Sequence, residues 1–419
     1  MTVWEQYSDE QRETYIEFIQ MYGALSKMFN QKSSITGAPY LDSKFQETIY
    51  ARAFDSADVD IGNTPHDIMS IFGNQRIGIG IKTWLNSSVS YQKVMQLKRY
   101  KSEIDSLNKP GKEEELANKI SEIKNSKMQL DYDRLGLDEN KNIYHYITRD
   151  KGKVVFQETI YPKIDISNLN KFSLSKSSFV FSDGIKQYKY TFGDSQIWMQ
   201  FGNKKDQTLL KEVEINMLDD PFEFLKVAFQ NKGMLLKDQA GVLTIKKTVQ
   251  TQTDDVYLPL YSYRSDKVEE KSGLNAFNGA PKNKKNNSPR PEAEVYIPVP
   301  KEFHKKYPHW FSNEIDTRYY NKKAIPFTLH LPDGTSYPAR LTQEGFKSFE
   351  TNPQSALGKW LLYKILKLKP WQKVTKEILD DKGFDSVRIW HEDPDDKTNV
   401  SIDFAQTGSF DKFIKNMSL

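Results

Sequence analysis

Two short stretches of this 419-residue chain combine residue types that could handle a phosphate ester. Phe54-Asp-Ser-Ala-Asp-Val-Asp-Ile61 is rich in carboxylates, and Arg76-Ile-Gly-Ile-Gly-Ile-Lys-Thr-Trp84 places a lysine in an apolar, strand-like run. An isolated ammonium is costly to bury, so Lys82 calls for anions nearby. Strand alternation would put Asp58 and Asp60 on one face of the first segment. It would put Gly78, Gly80 and Lys82 on one face of the second, with Ile77, Ile79 and Ile81 turned to the core. Lys82 would then project over a surface stripped by glycines, open to a phosphate backbone. Metal-assisted phosphodiester hydrolysis needs these parts: carboxylates for Mg2+ and a cation beside the attacking water or the phosphate. The bland alternative is a lysine reaching out from an edge strand and aspartates that cap a turn.

The arrangement resembles the PD-(D/E)xK nuclease core, with Ala57-Asp58 in place of Pro-Asp and Gly80-Ile81-Lys82 in place of Asp/Glu-x-Lys. The second acid of that motif is missing, because Gly80 stands in its position. The resemblance implies recruitment from elsewhere: Glu47, on the helix before the acidic strand, is the first candidate, with Asp60 and Asp67 as alternatives. Pro65-His66-Asp67 could itself hold the metal aspartate, leaving Asp58 structural. His66 is expected to be a surface histidine rather than a ligand. The implied catalytic set is Asp58, Lys82, Glu47 and Asp60, with Asp58, Glu47 and Asp60 as Mg2+ ligands. A phosphate loop is excluded because Ile81 interrupts Gly-Lys-Thr, and zinc is disfavoured by the lack of cysteine.

Residues 271–290 contain five basic side chains, no acid, and many Asn, Gly, Ser and Pro. Nothing there is periodic, so the segment reads as an extended arm or loop. Its lysines suit phosphates and its amides suit base edges. Around it stand Tyr257-Leu-Pro-Leu-Tyr-Ser-Tyr-Arg264, Glu270-Lys-Ser-Gly-Leu-Asn275 and Glu294-Val-Tyr-Ile-Pro-Val-Pro300. Further on come Gln343-Glu-Gly-Phe-Lys347, Asn352-Pro-Gln-Ser-Ala-Leu-Gly-Lys-Trp-Leu361 and Gly383-Phe-Asp-Ser-Val387. In this order the blocks resemble the B3-like DNA-recognition domain of some type II restriction endonucleases. The resemblance implies a seven-stranded open pseudobarrel with two arms gripping the major groove. By position, Arg264, Lys271, Ser272, Asn275, Asn278 and Lys282 belong to the first arm, and Gln343, Lys347, Ser348 and Asn352 to the second.

The elements that must position these groups follow from periodicity. Apolar positions over 4–30 have helical spacing, and a second helix is expected over 43–53 after the capping residue Asp42. Strands are predicted at 56–61 and 76–84, separated by a polar link. Residues 91–130 read as a charged helical hairpin broken at Lys109-Pro-Gly111, its charges solvated. Strands are expected at 143–147, 153–156, 187–191 and 196–201, then a helix at 219–229. Beyond the linker, strands are expected at 294–298, 326–331, 336–341, 386–392 and 399–404, with helices at 353–368 and 374–382. Leu357, Trp360, Leu361, Leu362 and Ile365 are expected in the core.

The fold class is therefore α+β or α/β. A PD-(D/E)xK-like mixed sheet flanked by helices (1–230, with the hairpin about 91–130 inserted) would lead through a linker (231–256) to a B3-like β pseudobarrel with short helices (257–419). A net charge of +4 excludes a globally basic coat, so any DNA surface must be local. The absence of cysteine excludes disulfides. No apolar run reaches membrane-spanning length and no signal-peptide pattern opens the chain, so no membrane is expected. Together the resemblances imply a type II restriction endonuclease in a prokaryotic cytoplasm, with double-stranded DNA as partner and Mg2+ as cofactor. They also imply a homodimer to cut both strands and a cognate DNA methyltransferase in the same system. The competing readings are a non-catalytic DNA-binding regulator, which Gly80 favours, and a nuclease that senses a modified base.

Overall fold

The computed structural model describes residues 2–29, 37–62, 64–85, 88–202, 206–231, 235–237, 243–245, 254–281, 290–320 and 322–417. The chain divides into two compact units. One comprises Met1–Tyr132 and Leu137–Gln250, and the other Asp133–Gly136 and Thr251–Leu419.

The first unit opens on a 3-10 turn, Trp4–Gln6, and helix α1, Asp9–Ala24. The helix begins at Asp9 because Ser8 closes a reciprocal cap: its hydroxyl accepts from the Gln11 N–H, and the Gln11 side chain accepts from the Ser8 N–H. Helix α2, Ser43–Ala53, starts where Asp42 accepts from the Phe45 N–H at 3.0 Å, as the sequence predicted. Next come β1 (Ala57–Asp58), β2 (Ile68–Phe72), β3 (Gln75–Leu85) and β4 (Ser90–Gln96). Helices α3 (Lys101–Ser106) and α4 (Glu113–Leu135) then lead to β5 (Ile143–Asp150) and β6 (Lys153–Ile160). The unit continues with β7 (Asn170–Leu174), β8 (Ser178–Ser182), β9 (Gln187–Thr191), β10 (Gln196–Phe201) and β11 (Gln207–Glu214). Helix α5 (Pro221–Asn231) and the small hairpin β12 (Leu235–Lys237) and β13 (Leu243–Ile245) complete it.

Six strands form one sheet in the order β1-β2-β3-β5-β6-β11; five form another in the order β4-β10-β9-β8-β7. In the first sheet β3 and β5 run parallel, with Gly80 opposite Tyr144 and Lys82 opposite Tyr146. A parallel pair requires a crossover, and the segment between them carries α3 and α4. Ile77, Ile79 and Ile81 point into a core shared with Tyr15, Ile19, Tyr50, Phe54 and Phe156, as alternation requires.

Several local expectations are corrected. The predicted strand 56–61 shrinks to two residues, and the supposed polar link contains β2. Ile68-Met-Ser-Ile-Phe72 supplies its apolar run, and Gly73 at φ 59° allows the tight return into β3. The first limb of the expected 91–130 hairpin is a strand, since β4 pairs antiparallel with β10 and the helical part begins only at the 3-10 turn Lys98–Tyr100 that leads into α3 and α4. The charged helix α4 is not a solvated rod: Lys124 and Asp131 are fully buried on it. The glycine face of β3 is not open. A Cβ on Gly80 would lie 2.4 Å from Tyr144 Cε1, and one on Gly78 would lie 2.5 Å from His66 Cδ2.

In the second unit, β14 (Val256–Pro259), β15 (Ile297–Pro298), β16 (Ile325–His330), β17 (Ser336–Thr342), β18 (Ser348–Thr351), β19 (Phe384–Trp390) and β20 (Asn399–Gln406) form one sheet. Its order is β14-β19-β20-β16-β17-β18-β15. The sheet is antiparallel except for β16 beside β20, and its ends, β14 and β15, approach one another to give a nearly closed barrel. Leu357, Trp360, Leu361, Leu362 and Ile365 are buried, as predicted, on a helix that changes from α-type to π-type at Lys359. Short helices at Lys301–Lys306 and Ser409–Met417, both missed by sequence reading, complete the unit.

Candidate nucleic-acid interface and active site

In the first unit the residue that meets Lys82 is Asp67. Lys82 Nζ lies 3.6 Å from Asp67 Oδ2, and both side chains are largely covered. The Asp67 carboxylate also accepts from the Ile81 N–H at 2.6 Å, which ties the end of the β1–β2 connection to β3. Lys82 Nζ donates to the Ile81 carbonyl at 2.8 Å and lies 5.7 Å from the centroid of the Tyr144 ring. Glu47, on α2, completes the group. Burial pushes its carboxyl above the ordinary value. A hydrogen bond from Lys44 at 2.6 Å and the charge of Lys82 oppose the rise, while the charge of Asp67 adds to it. Lys44 in turn feels the charges of Asp58 and Asp60.

Asp58 and Asp60 are placed differently from the sequence expectation. Asp58 is exposed and accepts from the Asp60 N–H at 3.3 Å. Asp60 caps the turn that follows, accepting from the Gly62 and Thr64 N–H groups and the Thr64 hydroxyl. These are the turn-capping roles that the bland reading assigned. His66 is not a surface residue: it is fully buried, and its Nδ1 lies 3.0 Å from the equally buried Asp131 on α4. Asp131 also accepts from the His66 N–H, so it fixes the backbone immediately before Asp67. Sequence reading missed this pair because Asp131 sits in a charge-rich helix that looked solvated.

Among the described residues no three His, Asp or Glu side chains form a cluster that could hold a metal ion. Two carboxylates, Glu47 and Asp67, remain beside a lysine. Mg2+ is commonly held by one or two protein carboxylates, with substrate phosphate oxygens and waters filling the remaining positions, so this donor set fits it.

In the second unit, residues of both expected arms line one concavity of about 260 Å³. Arg264 and Ser272 come from the first arm, Lys347 from the second, and Tyr263, Tyr296 and Lys301 lie between them. Arg264 is 71% exposed and sits 3.7 Å from Glu302, which also accepts from the Tyr263 hydroxyl at 2.6 Å. Lys271, Gln343 and Asn352 are exposed, whereas Asn278 is partly buried and donates to the Glu270 carbonyl at 3.0 Å. Lys282 lies outside the described residues, with 283–289.

Two expected contacts are buried. Asn275 is 1% exposed; its amide donates to the Glu269 and Val374 carbonyls at 3.0 and 2.9 Å and accepts from the Val374 N–H at 2.8 Å. Ser348 is fully buried on β18. Neither side chain faces a groove. For Asn275 the reason is that residues 273–278 are not extended: they form a 3-10 helix that buries Leu274, Ala276 and Phe277 alongside it. Ser348 lies on an inner strand, opposite Pro298 and Thr342.

Residues 248–393 match the family model of the NgoFVII C-terminal B3-like DNA-binding domain. That is a restriction-enzyme family, and the match covers about a third of the chain. The match covers every strand of the nearly closed barrel except β20, and it supports sequence-specific binding of double-stranded DNA by this domain. No curated protein matches the chain.

Proposed function

We propose that the chain is a type II restriction endonuclease in which the B3-like domain locates a DNA sequence and the first unit hydrolyses the phosphodiester with Mg2+. The observation that carries the reading is the approach of Lys82 to Asp67 at 3.6 Å beside the partly buried Glu47, in a chain with a DNA-binding domain of restriction-enzyme type. The order of elements supports it too: α2, the β2–β3 hairpin, a helical crossover and a parallel β5 suit a PD-(D/E)xK-like core. In this reading Asp67 takes the role first given to Asp58. Glu47 supplies the acid that the strand lacks, because the Tyr144 ring occupies the space a side chain at position 80 would need.

Glu47 and Asp67 would hold Mg2+, which supplies polarisation of the scissile phosphate and acidification of a water. Lys82 positions the nucleophile and offsets the negative charge that develops on the phosphate. His66 and Asp131 keep Asp67 in register. Cutting both strands calls for two such sites, hence a homodimer.

The test is incubation of the protein with a plasmid of known sequence, with Mg2+ or with EDTA. Discrete fragments only with Mg2+, lost in Lys82→Met and Asp67→Asn while gel-shift binding persists, are expected. Binding without cleavage under every divalent ion tried would instead support a non-catalytic DNA-binding protein. That second reading is favoured by Gly80 and by the absence of a three-carboxylate cluster among the described residues.

A further inference from the structure

The second unit exposes three large apolar side chains among its described residues, and all three are aromatic: Tyr319 (71%), Tyr320 (37%) and Trp371 (50%). They lie in two loops that the arm assignment left out. Each loop is packed against the buried aromatic residue of one arm. Trp371 meets Phe277, in the 3-10 helix of the first arm, edge-to-face at 6.0 Å. Tyr320 meets Phe346, in the short turn of the second arm, edge-to-face at 5.1 Å.

Both loops are also basic. Arg318-Tyr-Tyr-Asn-Lys-Lys323 surrounds one aromatic pair, and Lys367-Leu-Lys-Pro-Trp-Gln-Lys373 surrounds the other. Some of these cations are held internally: Arg318 by Asp316 at 3.0 Å and Lys373 by Glu270 at 3.0 Å. Lys322 and Lys369 are exposed, and no ion pair engages either one among the described residues. Exposed rings flanked by cations on a DNA-binding domain have the chemistry of a phosphate-and-sugar contact. Their contacts with Phe277 and Phe346 put one such loop beside each arm.

We infer that residues 316–320 with 322–323, and residues 367–373, are outer DNA contacts, one beside each arm, with Lys322 and Lys369 on phosphates and Tyr319 and Trp371 against the adjacent deoxyribose. This rests on the DNA-binding reading of the domain but not on the nuclease reading. Such contacts carry no base code, so they set affinity and register for any duplex.

The experiment is fluorescence anisotropy of the full chain on a random-sequence 30-bp duplex in EDTA, across a salt series. Losing two phosphate contacts in the double variant Lys322→Ala, Lys369→Ala should lower the log–log salt slope by about 1.8. Tyr319→Ala and Trp371→Ala should each weaken binding on the order of tenfold, and Trp371→Phe, which keeps a ring on Phe277, should restore most of it. Tyr319 is too exposed for its loss to be a folding effect. Wild-type slopes and affinities in all of these, with Lys347→Ala still weakening binding, would overturn the outer loops and leave the domain's role intact. A wild-type chain that fails to bind the duplex would overturn both.

Discussion

Asn275→Ala separates a side chain that reads DNA from one that builds the domain. The Asn275 amide holds both polar groups of the Val374 backbone, and Val374 is itself 1% exposed. Truncation leaves a buried N–H and a buried C=O without partners, while the freed Glu269 carbonyl sits on an exposed residue and can find water. Each buried unsatisfied group costs about 1–3 kcal/mol, so the variant should lose roughly 2–6 kcal/mol from a domain whose whole stability is about 5–15 kcal/mol. Urea unfolding of the full chain should show an earlier transition, and hydrogen exchange at the Val374 amide should accelerate. Under conditions where the variant stays folded, duplex affinity should remain near that of wild type. An unchanged unfolding midpoint with lost DNA binding would refute this and return Asn275 to the groove.

Two other substitutions probe the first unit. Lys124 is fully buried on α4 against the Tyr161 and Tyr188 rings, and burial lowers its pKa to about 7, opposed only by the charge of Asp183. The unfolded chain then binds more protons than the folded one between about pH 7 and 10.5, so wild-type stability should rise over that window by a few kcal/mol, at about 1.4 kcal/mol per unit. Lys124→Met should flatten the rise, leaving the part that the partly buried Lys127 and the buried Lys186 contribute, and be the more stable protein at pH 7. Parallel wild-type and variant curves of urea midpoint against pH would contradict this. Gly80→Ala should cost about 1–3 kcal/mol by overpacking against Tyr144, whose ring is stacked at 3.9 Å on Tyr161 and cannot retreat. Gly80→Asp, which rebuilds the acid of the motif, should likewise lower the melting temperature and not raise cleavage.

The sequence was most legible where one physical rule acts alone. The Asp42 cap, the isoleucine alternation of β3 and the Leu357–Ile365 core stripe needed no partner to be recognised. It was least legible where a partner far along the chain decides the outcome. Gly80 looked like an opening for DNA until Tyr144, from the neighbouring strand, proved to fill it. Asn275 looked like a base reader because its composition is that of an arm, yet it is held by Val374, 99 residues away. Asp67 stood only as an alternative, to Glu47 for the second acid and to Asp58 for the metal aspartate, since no local pattern shows that the chain between β1 and β2 brings it back onto Lys82. His66 gave no hint of burial because Asp131 is 65 residues distant.

The pairing of β4 with β10 joins Ser90 to Phe201, more than a hundred residues later. At a ribosomal pace of roughly 5–20 residues per second, β4 emerges several seconds before the strand that covers it. During that interval its backbone donors and acceptors are an open template for a second nascent chain. Yield of soluble protein should therefore depend on how fast the stretch from 97 to 195 is translated, and slowing synthesis there should favour aggregation over folding.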